Sequence, residues 1–313
     1  MTTTNTVATK EGFAEVKSAK LSTLGFFMAL PPVLLIILFV GLPIFVAFIF
    51  SIGYTGGPNR VISIIGQDIF QKNSWWGTAD AYIAVFKDPR FWPDFALTLV
   101  VTFISTTVVL TMALGMGLYQ RIKGGKVASI LSMLSLVPLF VPVVIAAYAI
   151  AQFYNGVGFM RTFMAQFGID FPVITATRNA IVIGTIWTSL PFAILMITSG
   201  LQSVPNALIE TAQDAGASFM RIVRTILIPL AFVPIVIAGT FTAIGIMGSF
   251  TVPLFLGPNQ PTMLGVEISN FFTAYNRPQQ SIVMAFIIFA AASGIAVIYI
   301  WANIRSAKQS GRI

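Results

Sequence analysis

The residues that usually do chemistry on a bound molecule are nearly missing from this chain. Its 313 residues include no cysteine and no histidine. That removes thiolate chemistry, disulfides, the commonest general base and the commonest metal ligand. Ten acids remain, scattered, with no spacing that sets two carboxylates to acid–base work or gathers ligands round a metal. No Gly-x-x-x-x-Gly-Lys-Ser/Thr run is present, so no P-loop cradles a phosphate. The expectation is therefore no catalytic residue and no metal ligand. One segment does combine charged, small and turn-forming residues: GLQSVPNALIETAQDAGASFMRIVRTILIPLAFVP, from Gly200 to Pro234. Glu210, Asp214 and Arg221 can make charge-assisted hydrogen bonds there. Ala212 and Ala217 let another backbone come close, Gly216 permits a bend, and Phe219 stands beside them. This is the chemistry of gripping another protein.

The elements that position this segment follow from composition. The chain is 57% hydrophobic and 9% charged, with 28 Phe and a mean hydropathy of +0.89; soluble domains carry about 25% charged residues. A soluble enzyme, a disordered chain and a disulfide-stapled secreted domain are excluded. Six charge-free stretches, of 26 to 42 residues, divide the sequence. A membrane span needs about 20 apolar residues, and a charge at its centre costs about 2.5–3.5 kcal/mol. The sequence thus predicts an all-α polytopic membrane protein with helices near 24–50, 95–119, 128–153, 179–201, 230–250 and 280–303, none holding a charge. Pro138 and Pro142 predict a kink in the third. The fifth stretch is too long for one span. Pro253, Gly257, Pro258 and Pro261 break it, so 251–265 is expected to be irregular, either lining a cavity mouth or packing over helix ends.

Most connections are a few residues long, whereas 202–229 is long and organised. Pro205 is expected to open a helix, with Glu210 near its positive end and Ala207, Leu208, Thr211, Ala212 and Ala215 on a small apolar face. Gly216 interrupts this helix, and Ser218 caps a second through Phe219, Ile222 and Val223. Pro229 closes the loop. Eleven of the 18 Lys and Arg fall on the side of this loop and both termini, which places that side in the cytoplasm, with 51–94 and 251–279 outside. The net charge of +8 is topological and points to no nucleic acid. A polar tail, 1–20, precedes a single transmembrane domain, 21–313. The apolar run behind the tail exceeds a signal-peptide core and is expected to be a retained first span.

Glu210-Thr211-Ala212, then Gly216 after three residues, Ile226 after nine more, and Ile228-Pro229 resemble the EAA loop of type I ABC importer permeases, with Thr211 in place of Ala and Ile228 in place of Leu. Phe86, Asp88, Phe91, Trp92 and Thr98 resemble the approach to the second span in these permeases, though Leu97 replaces the usual Asn. Trp187 with Leu190-Pro191-Phe192 also fits; the likeness covers about 82–235 and, more weakly, the first span, and the core of the domain is expected over about 82–304. The resemblance implies a bacterial inner-membrane permease. It further implies a second permease subunit, an extracytoplasmic solute-binding protein, and an ATPase dimer that holds ATP and Mg while this chain holds no cofactor. It assigns Glu210, Ala212, Asp214, Gly216, Ala217, Phe219 and Arg221 to ATPase coupling. Polar and aromatic residues at mid-depth or the outer ends (Tyr148, Gln152, Asn155, Trp187, Ser189, Met247, Ser249 and Phe250) are candidates for the solute path. MGSFTVPLFLGPNQPTMLGVEI resembles spermidine/putrescine-type permeases, which implies a polyamine or another small nitrogenous solute; a sugar or polyol is the alternative.

Overall fold

The computed structural model describes residues 23–309, so the expected tail 1–20 and Arg312 lie outside it. Every regular element among the described residues is helical. Helix α1 (Thr23–Ile36) runs through a π turn, Ile37–Gly41, into α2 (Leu42–Ser51). The connection after it holds α3 (Arg60–Ile65) and α4 (Asp80–Lys87). There follow α5 (Phe91–Ile122), α6 (Gly125–Ser135), a 3-10 turn at Val137–Phe140, α7 (Val143–Tyr154), α8 (Phe159–Ala165) and α9 (Arg178–Gln202). The organised loop contains α10 (Asn206–Asp214) and α11 (Phe219–Ile222); a π stretch, Val223–Leu227, joins α11 to α12 (Ile228–Leu230). The chain ends in α13 (Phe232–Met247), α14 (Thr251–Leu256), α15 (Leu264–Thr273) and α16 (Pro278–Gln309).

Helices α5, α9 and α13 form the centre, α16 packs on α13, and α14 lies between α7 and α9. Small residues set the distances, as expected where lipid gives helices no hydrophobic reason to associate. A β-carbon on Gly184 would fall 2.5 Å from Leu256 Cδ1, and one on Gly200 would fall 2.5 Å from Pro234 Cβ. Midway along the bundle the Ser105 and Thr185 hydroxyls pair at 2.8 Å, joining α5 to α9. Toward the end of the bundle that carries α10 and α11, Val109, Ala113, Ile194, Ile197, Leu201 and Leu227 form one buried cluster. By contrast, nearly every side chain from Met28 to Phe45 is uncovered.

Among the described residues, five helical runs are long and apolar enough to cross a membrane, and six if Phe219–Leu230 with Phe232–Met247 is one bent span. Two expected elements differ. The third span, 128–153, is not one kinked helix. It breaks between α6 and α7, because Pro142 forces the residue before it out of the helical region, and Val141 is extended at φ −100° and ψ 120°. The stretch 251–265 is not wholly irregular, since α14 is helical and buries Val252, Pro253 and Leu256. Packing over helix ends therefore describes it better than lining a mouth.

Candidate functional site

The 202–229 loop is built from both ends. At its start, Arg121 at the end of α5 donates to the Leu201 and Val204 carbonyls at 3.0 and 2.7 Å. These belong to the end of α9, whose last carbonyls lack intrahelical partners. Pro205 is the residue before α10 rather than in its first turn, and Glu210 is the fifth residue of the helix, beyond the reach of its N-terminal charge. At the other end, Gly216 adopts φ +75°. Its N–H donates to the Gln213 carbonyl at 2.8 Å and the Ala217 N–H to that of Ala212 at 2.9 Å. This pair of bonds is the Schellman closure, which requires a left-handed residue that costs an L-amino acid about 1–2 kcal/mol. A β-carbon on Gly216 would meet no atom of this chain within 4 Å. Ser218 stands at the N-cap of α11 but makes no side-chain cap.

The faces of the loop are phased differently from expectation. Ile209, Ala212 and Ala217 turn toward the bundle and pack on its core, while Ala207, Leu208, Thr211 and Ala215 are exposed. The outward surface carries Glu210, Asp214, Gly216 and Arg221. It also carries three large apolar side chains: Leu208, Phe219 and Met220, at 45%, 54% and 50% exposure. Among the described residues none of Glu210, Asp214, Arg221 and Arg224 is in an ion pair. Leu208 and Met220 are the members sequence reasoning missed. Their signal was an apolar residue in a segment whose inward stripe is already filled by Ile209 and Ala212.

The expected path residues do not converge on one site. Trp187 lines a cavity of about 760 Å³ between α5, α7 and α9, with Met112, Phe153 and Tyr154. Met247, only 3% exposed, lines a second cavity of about 570 Å³ between α5, α13 and α16 with Thr102, Thr106 and Thr240. Asn155 donates to the Gln152 side-chain carbonyl at 2.8 Å. Tyr148 is exposed on α7, Ser189 is half-buried on α9, and Ser249 and Phe250 lie between α13 and α14.

Two buried acids lie just outside the expected spans, at the end of the bundle where α5 begins. Asp94, in the first turn of α5, and Glu267, on α15, are fully buried. Asp94 accepts the Thr262 N–H at 2.8 Å, and Thr98, one turn on, accepts the Leu264 N–H at 2.9 Å. Arg90 forks onto Asp88 at 3.1 and 3.0 Å and lies 3.5 Å from Glu267. It stacks over Phe271 and Tyr275 at 4.9 and 4.6 Å. Burial pushes the Asp88 carboxyl up, but hydrogen bonds and charge from Arg90 outweigh it and hold the group below its ordinary value.

Known proteins were compared against this geometry. Residues 81–310 match the family model described as binding-protein-dependent transport system inner membrane component. A spermidine/putrescine transport system permease protein, PotB of Salmonella typhimurium, is 28% identical over 190 residues, 60% of this chain and 66% of that protein. A trehalose/maltose transport system permease protein, MalF of Thermococcus litoralis, is 26% identical over 281 residues, 87% of this chain and 88% of the relative. Among solved structures, a chain of a bacterial ABC transporter involved in the import of the acidic polysaccharide alginate superposes with a TM-score of 0.72 at 17% identity, covering 91% of this chain and 95% of that one. That likeness concerns the fold. With the family model spanning most of the sequence, this multi-pass membrane chain belongs to the binding-protein-dependent transport system inner membrane components.

Proposed function

We propose that this chain is the permease subunit of an ATP-driven ABC importer, and that α10 with the Gly216 turn and α11 docks a separate ATPase dimer. The observation that carries the reading is a loop closed by its own backbone hydrogen bonds, whose outward charges make no ion pair among the described residues and whose large apolar side chains stay about half exposed. Its spacing is that of the EAA loop, and no P-loop stands elsewhere in the sequence. Closure of the ATPase dimer on ATP and Mg moves this loop, and the central helices rock between inward and outward openings, a two-state element biased by nucleotide. A second permease subunit completes the path, and an extracytoplasmic binding protein delivers the solute. The loop and both termini face the cytoplasm, following the Lys and Arg distribution.

For the solute we place a polyamine or similar small nitrogenous compound first. The resemblance of 247–268 and the polyamine-system relative support this order. A sugar or polyol is the second reading, favoured by the longer alignment with the trehalose/maltose-system relative. Gly216→Asp tests the docking. The variant is expected to insert normally in the membrane, to lose co-purification of the ATPase and to lose solute-stimulated ATP hydrolysis in liposomes. Wild-type levels of both would overturn the assignment.

A further inference from the structure

The connection between α2 and α4 is pinned at several points. Gly53 at φ +93° admits the Lys72 N–H, which donates to the Gly53 carbonyl at 2.8 Å. Thr78 N–H donates to the Ile52 carbonyl at 2.8 Å, and Gln67 N–H to that of Asn276 at 2.7 Å. Asn59 is buried and donates to the Val46 and Tyr54 carbonyls at 3.2 and 3.1 Å. Gln279 exchanges hydrogen bonds with the Phe70 backbone in both directions. The Tyr54 hydroxyl reaches the Trp75 carbonyl at 2.6 Å. Apolar side chains on a loose loop can fold back on the protein, but on a backbone held this way they stay where they are.

That backbone turns its largest apolar side chains outward. Val61, Ile64 and Ile65 of α3 are 71%, 71% and 62% exposed, and Trp75 is 89% exposed with Trp76 at 52%. Large exposed apolar side chains gathered on one held segment mark a surface that meets something. The charges beside it select the occupant. Asp68 is taken by Arg277 at 2.7 Å. Among the described residues Arg60 has no acid within ion-pair distance, and neither has Lys72, which lies over the Tyr54 ring at 4.5 Å. The patch begins a few residues beyond α2, whose Phe45 and Phe48 are exposed where the helix crosses the bilayer. Paired tryptophans in the connection between two spans, aliphatic side chains and unpaired cations match the headgroup layer of a membrane.

We propose that the 57–77 segment is a shallow anchor in the outer leaflet, in which Ile64, Ile65 and Trp75 enter the bilayer interface while Arg60 and Lys72 meet anionic headgroup phosphates. The absence of native cysteine makes the test direct. Full-length protein carrying a nitroxide on Cys at 64 or 75 is reconstituted in phosphatidylethanolamine vesicles with and without phosphatidylglycerol. Its collisions with oxygen and with a water-soluble nickel chelate are then compared. Oxygen is expected to dominate at 64 and 75 and nickel at a control label on Asn73, with a deeper position in the phosphatidylglycerol vesicles that Arg60→Gln/Lys72→Gln abolishes. A second readout needs no label: Trp75→Phe is expected to reduce the fraction of tryptophan fluorescence quenched by shallow brominated lipid. Nickel access at 64 and 75 equal to that at 73 would overturn the anchor. So would shielding from both reagents that appears only with the binding protein or a second permease subunit, since a protein would then be the occupant. Neither measurement involves ATP, so failure here leaves the docking assignment standing, and the reverse.

Discussion

Arg121 and Asp94 do matching work at the two ends of α5. Each sends a side chain across to a backbone that another helix has left unpaired: the carbonyls ending α9 for Arg121, the N–H groups opening α15 for Asp94 with Thr98. A buried backbone group stripped of its partner costs about 1–3 kcal/mol. Asp94→Ala is therefore expected to lower the melting temperature of the purified permease by several degrees, with Asp94→Asn recovering part of the loss because one acceptor oxygen remains. Equal melting of wild type and Asp94→Ala would remove the clip. Asp88 makes a pH prediction. Its carboxyl is held below 3.8 when folded, so its contribution is fully present above the unfolded value and is lost as pH falls through the folded one. Acidifying below about pH 4 should cost the wild type more stability than Asp88→Asn, as read by thermal unfolding across that range. Of these residues the sequence exposed only part. Glu210 and Gly216 are legible because a charge and a glycine inside an organised polar loop have few uses. Asp94 is not, since counting charge-free stretches treats it as the end of a gap, and its partner lies 168 residues away.

At the scale of elements, the charge-free stretches located α5 and α9 within a few residues and the start of α16, since each fills its stretch without interruption. The third span went wrong through backbone restriction that a hydropathy reading does not weigh: two prolines four residues apart leave too little chain to resume a helix between them. Pro142→Ala should free Val141 to become helical. The distance between nitroxides at 132 and 152 is then expected to lengthen toward the roughly 30 Å of twenty helical residues at about 1.5 Å each. An unchanged distance would place the cause of the break elsewhere. The misphased face of α10 has a different origin. Alanine and threonine carry too little hydrophobic contrast to mark the inward side, so the packing of Ile209 against the bundle decides it.

For the molecule as a whole, the topology can be checked with the same cysteine-free background. A Cys at Asn206, exposed at the start of α10, is expected to be silent to an impermeant maleimide applied outside intact cells and reactive in inverted vesicles; labelling from outside would invert the arrangement. The segment Phe219–Leu230 meets Phe232–Met247 at 70°, with Ala231 fully buried at the corner and Gly200 of α9 leaving just enough room for it and Pro234. In mechanical terms this is a bell crank on a fixed bearing. One arm is twelve residues, about 18 Å at about 1.5 Å per residue, and the other is α13 itself. If an ATPase docks on the loop as proposed, its thrust on the short arm would be turned through that angle, so a tilt of a few degrees there would swing the long arm against α5. The gearing is set by the stiffness of the corner: two glycines inserted at 231 would let the short arm move while the long arm stays still, leaving ATP turnover running with no solute moved.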